Sequence, residues 1–207
     1  MRPKPVGLIA GNLNLPILTA KKLRDGGIPV VAVGLVGETS PRVKDLSDEY
    51  LELPLGQIQP LADFFLKHGV HKVCMVGGVS RENVVEAYQP DEAALAVMAK
   101  LDNFHTDAIL RAMAEWLESQ GLYLVSATEL APDLAVQPGL LTKKAPSPDL
   151  LDDLRLAFRV AKELGRLDVG QTVVVSDKIA VALEAADGTD ATIRRGAALC
   201  RKPVAVA

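Results

Sequence analysis

Three short apolar runs constrain this chain more than any other feature: VGLIAG (6–11), IPVVAVGL (28–35) and HKVCMVGG (71–78). Each has the length of a strand and almost no polar interruption. A strand buried on both faces reads this way, whereas a strand with one wet face alternates. Between the first two lies NLNLPILTAKKLRDGG, where Leu15, Leu18, Ala20 and Leu23 recur near helical spacing. Pro16 suits its first turn, and Gly26–Gly27 stop it. PLADFFLKHG (60–69) is a second helical stretch, and YLELPL can supply a shorter strand. Buried strands that alternate with helices imply parallel pairing through crossover helices, and so an α/β layered fold.

The same reading continues downstream. PDEAALAVMAKL (90–101) places apolar residues at 95, 98 and 101. TDAILRAMAEWLESQG (106–121) has Thr106 as a good N-cap, Asp107 in the first turn, and Ile109, Met113 and Leu117 on one face. Gly121 suits the left-handed position after the helix, and LYLVSA (122–127) returns as a strand. Residues 132–149 carry four prolines and little periodicity, as a linker does. Ser147-Pro148 then opens a helix with the stripe Leu151, Leu154, Phe158 and Ala161. Two β-rich runs follow, QTVVVSD and KIAVALEAAD, joined at Ser176-Asp177-Lys178 by a tight turn. KPVAVA (202–207) reads as a last strand that stops without a continuation. The expected layout is two α/β domains. Residues 1–131 form a Rossmann-like domain with a mainly parallel sheet, residues 132–149 a linker, and residues 150–207 a smaller, incomplete mixed α/β domain.

Composition narrows the function classes. The 207 residues carry 23 basic and 26 acidic side chains, a net charge of −3, which argues against a broad nucleic-acid surface. Cys74 and Cys200 form neither a disulfide framework nor a paired metal-ligand spacing, and Cys74 lies within a core strand. No apolar stretch approaches the ~18 residues of a membrane span. Gly and Asn interrupt the N-terminal apolar run too early for a signal peptide, so the expected location is cytoplasmic. His68, His71 and His105 lack partners at metal spacing, and no nucleophile elbow, P-loop or H-E-x-x-H is present.

The candidate chemistry lies at four places. The loop AGNLNLP (10–16), with Gly11 and Asn12, joins the first strand to the first helix, where N–H groups and the helix dipole favour an anion; it also serves as an ordinary βα turn. GGVSRE (77–82) ends the third strand, and Arg81 either forks onto phosphate or sits exposed at a helix start. Asp107 is either a helix stabiliser or a ligand. In LDVGQTVVV, Asp168 and Gln171 precede a strand, and LEAADGTDATI sets Glu184, Asp187 and Asp190 around Gly188-Thr189. Thr189 or Asp190 can cap the following helix. Capping consumes one side chain, leaving carboxylates of the kind that suit Mg²⁺ or a phosphate-bound metal.

With these stretches in view, the chain resembles the LpxI-type UDP-2,3-diacylglucosamine pyrophosphatases of lipid A biosynthesis. The likeness rests on VGLIAGNLNLP, RLDVGQTVVV, ALEAADGTDATI and the intervening LLTKKAPSPDLLDDLRLAFRVAKELG, in order along nearly the whole chain. It implies a Mg²⁺-dependent hydrolase of two α/β domains holding a lipid-linked nucleotide sugar between them. Water would attack the α-phosphorus, releasing UMP and 2,3-diacylglucosamine 1-phosphate (lipid X). The resemblance implies Asp190 and Glu184 as catalytic acids, Asp190 and Asp168 toward the metal, and Gly11, Asn12, Arg81, Asp107, Gln171 and Thr189 on the substrate. Leu13 stands where the family has glycine, Glu82 where it has proline, Thr106 where it has an acid and Asp187 where it has glutamate. The family's K-P-x-Q-D-x-R-x-D segment, which carries a catalytic acid, has no counterpart after PVAVA, so weak hydrolysis by these 207 residues is expected. The resemblance further implies cytoplasmic residence with at most peripheral contact at the inner membrane, no nucleic-acid partner, and room for a homo-oligomer. Two readings compete with a hydrolase: a non-catalytic nucleotide-sugar binding or regulatory protein, and a nicotinamide-dependent oxidoreductase, which the missing G-x-G-x-x-G disfavours.

Overall fold

The computed structural model describes residues 3–80, 88–101 and 106–207, without the side chains of 106 and 107. The chain divides into two compact units, residues 1–137 and 138–207.

In the first unit, β1 (Val6–Ala10), β2 (Val30–Leu35), β3 (Glu49–Leu53), β4 (Lys72–Val76) and β5 (Tyr123–Leu124) form one parallel sheet in the order β3-β2-β1-β4-β5. The winding reverses between β1 and β4, and that reversal opens a crevice at the carboxyl ends of the two strands. Every residue of β1 and β2 is buried, which is why both runs lack alternation. Val6, Leu8, Ala10, Val30, Ala32 and Cys74 meet Ile17, Ala20 and Leu23 of α1 (Leu15–Asp25) and Val43 of α2 (Pro41–Asp45) on one face. Ile9, Val31, Val33 and Val73 meet Leu61, Ala62 and Phe65 of α3 (Ile58–Lys67) and Leu117 on the other. Leu117 belongs to α5 (Thr106–Ser119), while α4 (Glu92–Met98) adds Ala94 and Val97 against Ile58. A short α6 (Ala127–Leu130) and a 3₁₀ turn (Pro132–Leu134) complete the unit.

Two helical faces differ from expectation. Pro16, Ile17, Thr19, Ala20 and Leu23 face inward on α1, while Leu15 and Leu18 are exposed. On α4, Ala94 and Val97 are buried and Leu95 is exposed. On α4 the smaller side chains take the inner face, which lets the helix axis approach the layer beneath.

In the second unit, β6 (Val173–Ser176) is central and pairs antiparallel with β7 (Ile179–Leu183) and β8 (Ala205–Val206). Ala157 on α7 (Pro148–Arg166) covers Val173, Val175 and Ala205. α8 (Thr189–Ala198) lies against the opposite face of β6, where a Cβ added to Gly196 would come within 2.7 Å of Val174. Ser147 caps α7 as expected, its hydroxyl accepting from Leu150 N–H. The inward stripe of α7 is shifted from the expected one: Leu150, Leu154, Ala157, Ala161 and Leu164 pack on the sheet, and Phe158 is 59% exposed under Lys162. A three-stranded sheet is too narrow to cover the full apolar arc of this helix. The turn at Asp177-Lys178 has positive φ at both residues, as a two-residue hairpin requires. Buried Asp153 fastens it by accepting from Asp177 N–H (3.0 Å) and Lys178 N–H (2.7 Å). Among the described residues no helix is long and apolar enough to cross a membrane.

Candidate functional site

At the crevice of the first unit, two loops touch backbone to backbone. A Cβ on Gly11 would lie 2.1 Å from the carbonyl oxygen of Gly78, and one on Gly77 2.5 Å from that of Asn12. These glycines therefore serve the contact between the β1–α1 loop and the turn after β4. Gly11 N–H donates to Val76 O, Asn12 N–H to Gly78 O, and Gly78 N–H to Asn12 Oδ1 (3.2 Å). Asn12 turns its amide to Glu38, whose other oxygen accepts from Ser80 N–H at 2.7 Å and from the Ser80 hydroxyl. Thr39 rivets the turn after β2 in place, accepting from Leu35 N–H (2.8 Å) while donating to Ala10 O. Leu13 sits at φ 66 with 78% of its surface exposed, in the conformation a glycine would adopt at no cost.

Glu38 and Ser80 were not among the expected site residues. The available signal was an acid placed just beyond an apolar strand, at the end where ligands of parallel sheets collect. Arg81 lies outside the described residues, as does the side chain of Asp107 in the first turn of α5.

In the second unit, Glu184 ends up 7% exposed where β7 leaves the sheet. Its Oε1 accepts from the Thr189 hydroxyl (3.0 Å) and its Oε2 from Gln171 N–H (3.4 Å). Thr189 also contacts the Thr172 hydroxyl at 3.2 Å. A Cβ on Gly170 would lie 2.3 Å from Glu184 O, so the D-x-G-Q stretch wraps closely around the glutamate. Gln171, Glu184 and Thr189, separate in sequence, are thus brought together.

The neighbouring acids go elsewhere. Asp187 accepts from Arg195 Nη2 (3.0 Å), the Thr192 hydroxyl (3.2 Å) and Ala185 N–H (3.2 Å). The Arg195 guanidinium holds its carboxyl below the ordinary range, helped by the Ala185 N–H. Asp190 is solvent-facing, its side chain 84% exposed with Arg194 at 3.7 Å. Neither Thr189 nor Asp190 caps α8: Gly188, at φ 81, occupies the N-cap position without a side-chain bond, and the two residues form the first helical turn. The glycine supplies the entry angle, and the Thr189 hydroxyl is engaged by Glu184 and Thr172 instead. Asp168 takes the left-handed position directly after α7, at φ 53.

Among the described residues no three His, Cys, Asp or Glu side chains converge as a self-contained metal site would need. Burial pushes the Cys74 thiol up to about 11, in keeping with a packing role. His68 lies against the Phe64 ring at 4.7 Å. A groove of about 1020 Å³ in the second unit, lined by Leu154, Arg155, Phe158 and Val206, contains none of the expected site residues.

Models of the LpxI N-terminal domain and the LpxI C-terminal domain match residues 5–134 and 137–207. The chain belongs to the LpxI family. Over 201 residues it is 32% identical to the UDP-2,3-diacylglucosamine pyrophosphatase LpxI of Caulobacter vibrioides, covering 95% of this chain and 70% of that protein. Among solved structures, the biotin carboxylase subunit of pyruvate carboxylase is 16% identical, with a TM-score of 0.35, over 78% of this chain and 28% of that one. The multifunctional pyruvate carboxylase of Rhizobium etli is 13% identical, with a TM-score of 0.38, over 76% of this chain and 13% of that one. This chain therefore spans less than a third of either carboxylase, and likenesses so slight bear on nothing below. The Leu13 position and the Glu184–Thr189–Gln171 cluster are thus features of an LpxI-family chain.

Proposed function

We propose that this LpxI-family chain hydrolyses the pyrophosphate of UDP-2,3-diacylglucosamine, releasing UMP and 2,3-diacylglucosamine 1-phosphate, in the cytoplasm and at most peripherally at the inner membrane. The observation that carries the reading is the convergence of Gln171, Glu184 and Thr189, contributed by the two stretches on which the family resemblance is strongest. Likeness along 95% of the chain to a curated pyrophosphatase supports the substrate class.

In this reading Glu184 is the fixed acid. Both its oxygens are held by uncharged donors, the Thr189 hydroxyl and the Gln171 N–H, so it pins the D-x-G-Q stretch to the start of α8 and fixes the wall on which the pyrophosphate lies. Asp190, which reaches solvent, takes the proton of the water that attacks the α-phosphorus. The new P–O bond forms as the bridging oxygen leaves with the lipid phosphate, and UMP retains the oxygen of the water. We read the first unit as a Rossmann-like nucleotide site at the β1–β4 crevice, with Gly11 and Asn12 at its wall and Arg81 and Asp107 on the nucleotide.

Mg²⁺ belongs to the same proposal. It usually keeps several waters and takes one or two carboxylates together with substrate phosphates, which suits a donor set without a three-ligand cluster. We assign Asp190 and Asp168 to it, the two acids that the family resemblance points to. When bound, it would offset the negative charge that repels an attacking water. The test is UMP release from UDP-2,3-diacylglucosamine with and without Mg²⁺. Release that stops when the metal is chelated supports the reading. Binding of the nucleotide sugar without any release would favour a non-catalytic binding protein instead.

A further inference from the structure

At the crevice of the first unit a carboxylate stands beside backbone N–H groups that the fold itself has taken up. A phosphate-binding turn offers unspent backbone N–H groups at a helix start. Here the N–H groups of Gly11, Asn12 and Gly78 all stitch β1 to β4, which leaves that part to the start of α1, where Asn14 makes no side-chain capping bond. Glu38 adds a carboxylate to this edge. It is held from both sides, by the Asn12 amide and by the Ser80 N–H and hydroxyl, and Thr39 beside it is pinned to β1 and β2. A fixed carboxylate repels phosphate oxygens and attracts hydroxyl groups. On a nucleotide the hydroxyls that donate as a vicinal pair belong to the ribose. In open parallel sheets the ligand lies where the strand order reverses, and an acid following the first βα unit meets the ribose.

We infer that Glu38 recognises the ribose of a nucleotide at this crevice, accepting from its 2′- and 3′-hydroxyls. The inference rests on the nucleotide-site reading of the first unit. Asn12 and Ser80 are neutral donors, and ribose hydroxyls can join them at the carboxylate. Asn12 stays beside the sugar. Sequence spacing hides the arrangement, because Asn12, Glu38 and Ser80 lie 26 and 42 residues apart.

Calorimetric titration of the whole chain with UMP and with 2′,3′-dideoxy-UMP tests it. The wild type is expected to bind UMP tighter by about 10-fold or more, the worth of hydrogen bonds to a charged acceptor. Glu38→Gln should shrink that ratio by about fivefold or more, the difference between hydrogen bonds to a charged acceptor and to a neutral one, with the affinity for the dideoxy compound unchanged. Equal weakening of both ligands by Glu38→Gln would show that the carboxylate only braces the two loops, and would overturn the inference. So would a wild type that binds both ligands equally, a result that requires no variant to fold. UMP binding without sugar discrimination removes the Glu38 assignment and leaves the nucleotide site standing. No UMP binding at all removes both.

Discussion

The two units arrange their polar groups in opposite ways. In the first, Asn12, Glu38 and Ser80 are far apart in sequence and meet at one edge. In the second, Glu184, Asp187 and Asp190 lie within one short loop and separate: one is buried between Thr189 and Gln171, one is tied to Arg195, and one faces water. Topology explains the first case, since a parallel sheet delivers the carboxyl ends of all its strands to one rim. Local geometry explains the second, since Glu184 follows β7, Asp187 lies in the turn before Gly188 and Asp190 is in the first turn of α8, three different backbone settings. Crowding in sequence is therefore a poor guide to crowding in space, and a division of labour among the three acids is the consequence.

The sharpest way to break that division is Asp190→Asn. If Asp190 is the solvent-facing acid of the reaction, UMP release should fall by roughly 10²–10⁴, the usual worth of a general base, while the melting curve stays put. An unchanged rate would move the chemistry onto Glu184. Next in size is Asp153→Ala, which removes the acceptor of two hairpin N–H groups and should cost about 1–3 kcal/mol in urea unfolding. Hydrogen exchange should quicken at the β6–β7 turn and leave β1 and β2 unaffected; equal quickening in both units would show that they do not unfold separately. Smaller still is Leu13→Gly in the first unit. Relieving a left-handed leucine gains about 1–2 kcal/mol, and the freedom of glycine in the unfolded chain takes back roughly 0.5–1. A net gain of up to about 1.5 kcal/mol in stability is expected, read as a higher urea midpoint. A clear loss would mean that the exposed Leu13 side chain holds something.

The comparison also shows what was legible before the structure. The buried strands β1, β2 and β4 could be read because double-sided burial leaves an unbroken apolar run, and the Asp177-Lys178 turn because two strands close together need one. Helix faces were harder. On α1 and α7 two overlapping sets of residues satisfy helical spacing, and only the width of the layer beneath decides between Leu151 with Phe158 and Leu150 with Ala157. At the site the two motifs could be singled out but not their pairing, which depends on Gly170 letting the backbone approach Glu184. The loss of the cap role at Asp190 did not show, because Gly188 does that work through its backbone alone. Glu38 stayed hidden because its place just beyond β2 is a weak mark and its partners come from the loops after two other strands.

The smallest effect separates Asp187 from its neighbours. Its carboxyl is held below the ordinary 3.8, first by the hydrogen bond from Arg195 and then by Ala185 N–H. A carboxyl whose pKa is depressed in the folded state stabilises the fold fully above its unfolded value, and that contribution is lost as pH falls through the folded value. The sensitive window therefore lies below 3.8, and between pH 5 and 8 the second unit should not respond to Asp187 at all. Arg195→Ala should return the carboxyl upward toward 3.8, visible in a carbon-13 NMR titration of the aspartates, and move the acid limb of unfolding to higher pH. Because the pair is open to solvent, its loss near neutrality should be small, as for other exposed ion pairs. UMP release at pH 7 should survive the substitution, since Arg195 reaches Asp187 and Leu183 O rather than Glu184 or Asp190. A collapse of activity in Arg195→Ala with the melting curve intact would place Asp187 among the working acids after all, and the separation drawn between the three would fail at its middle member.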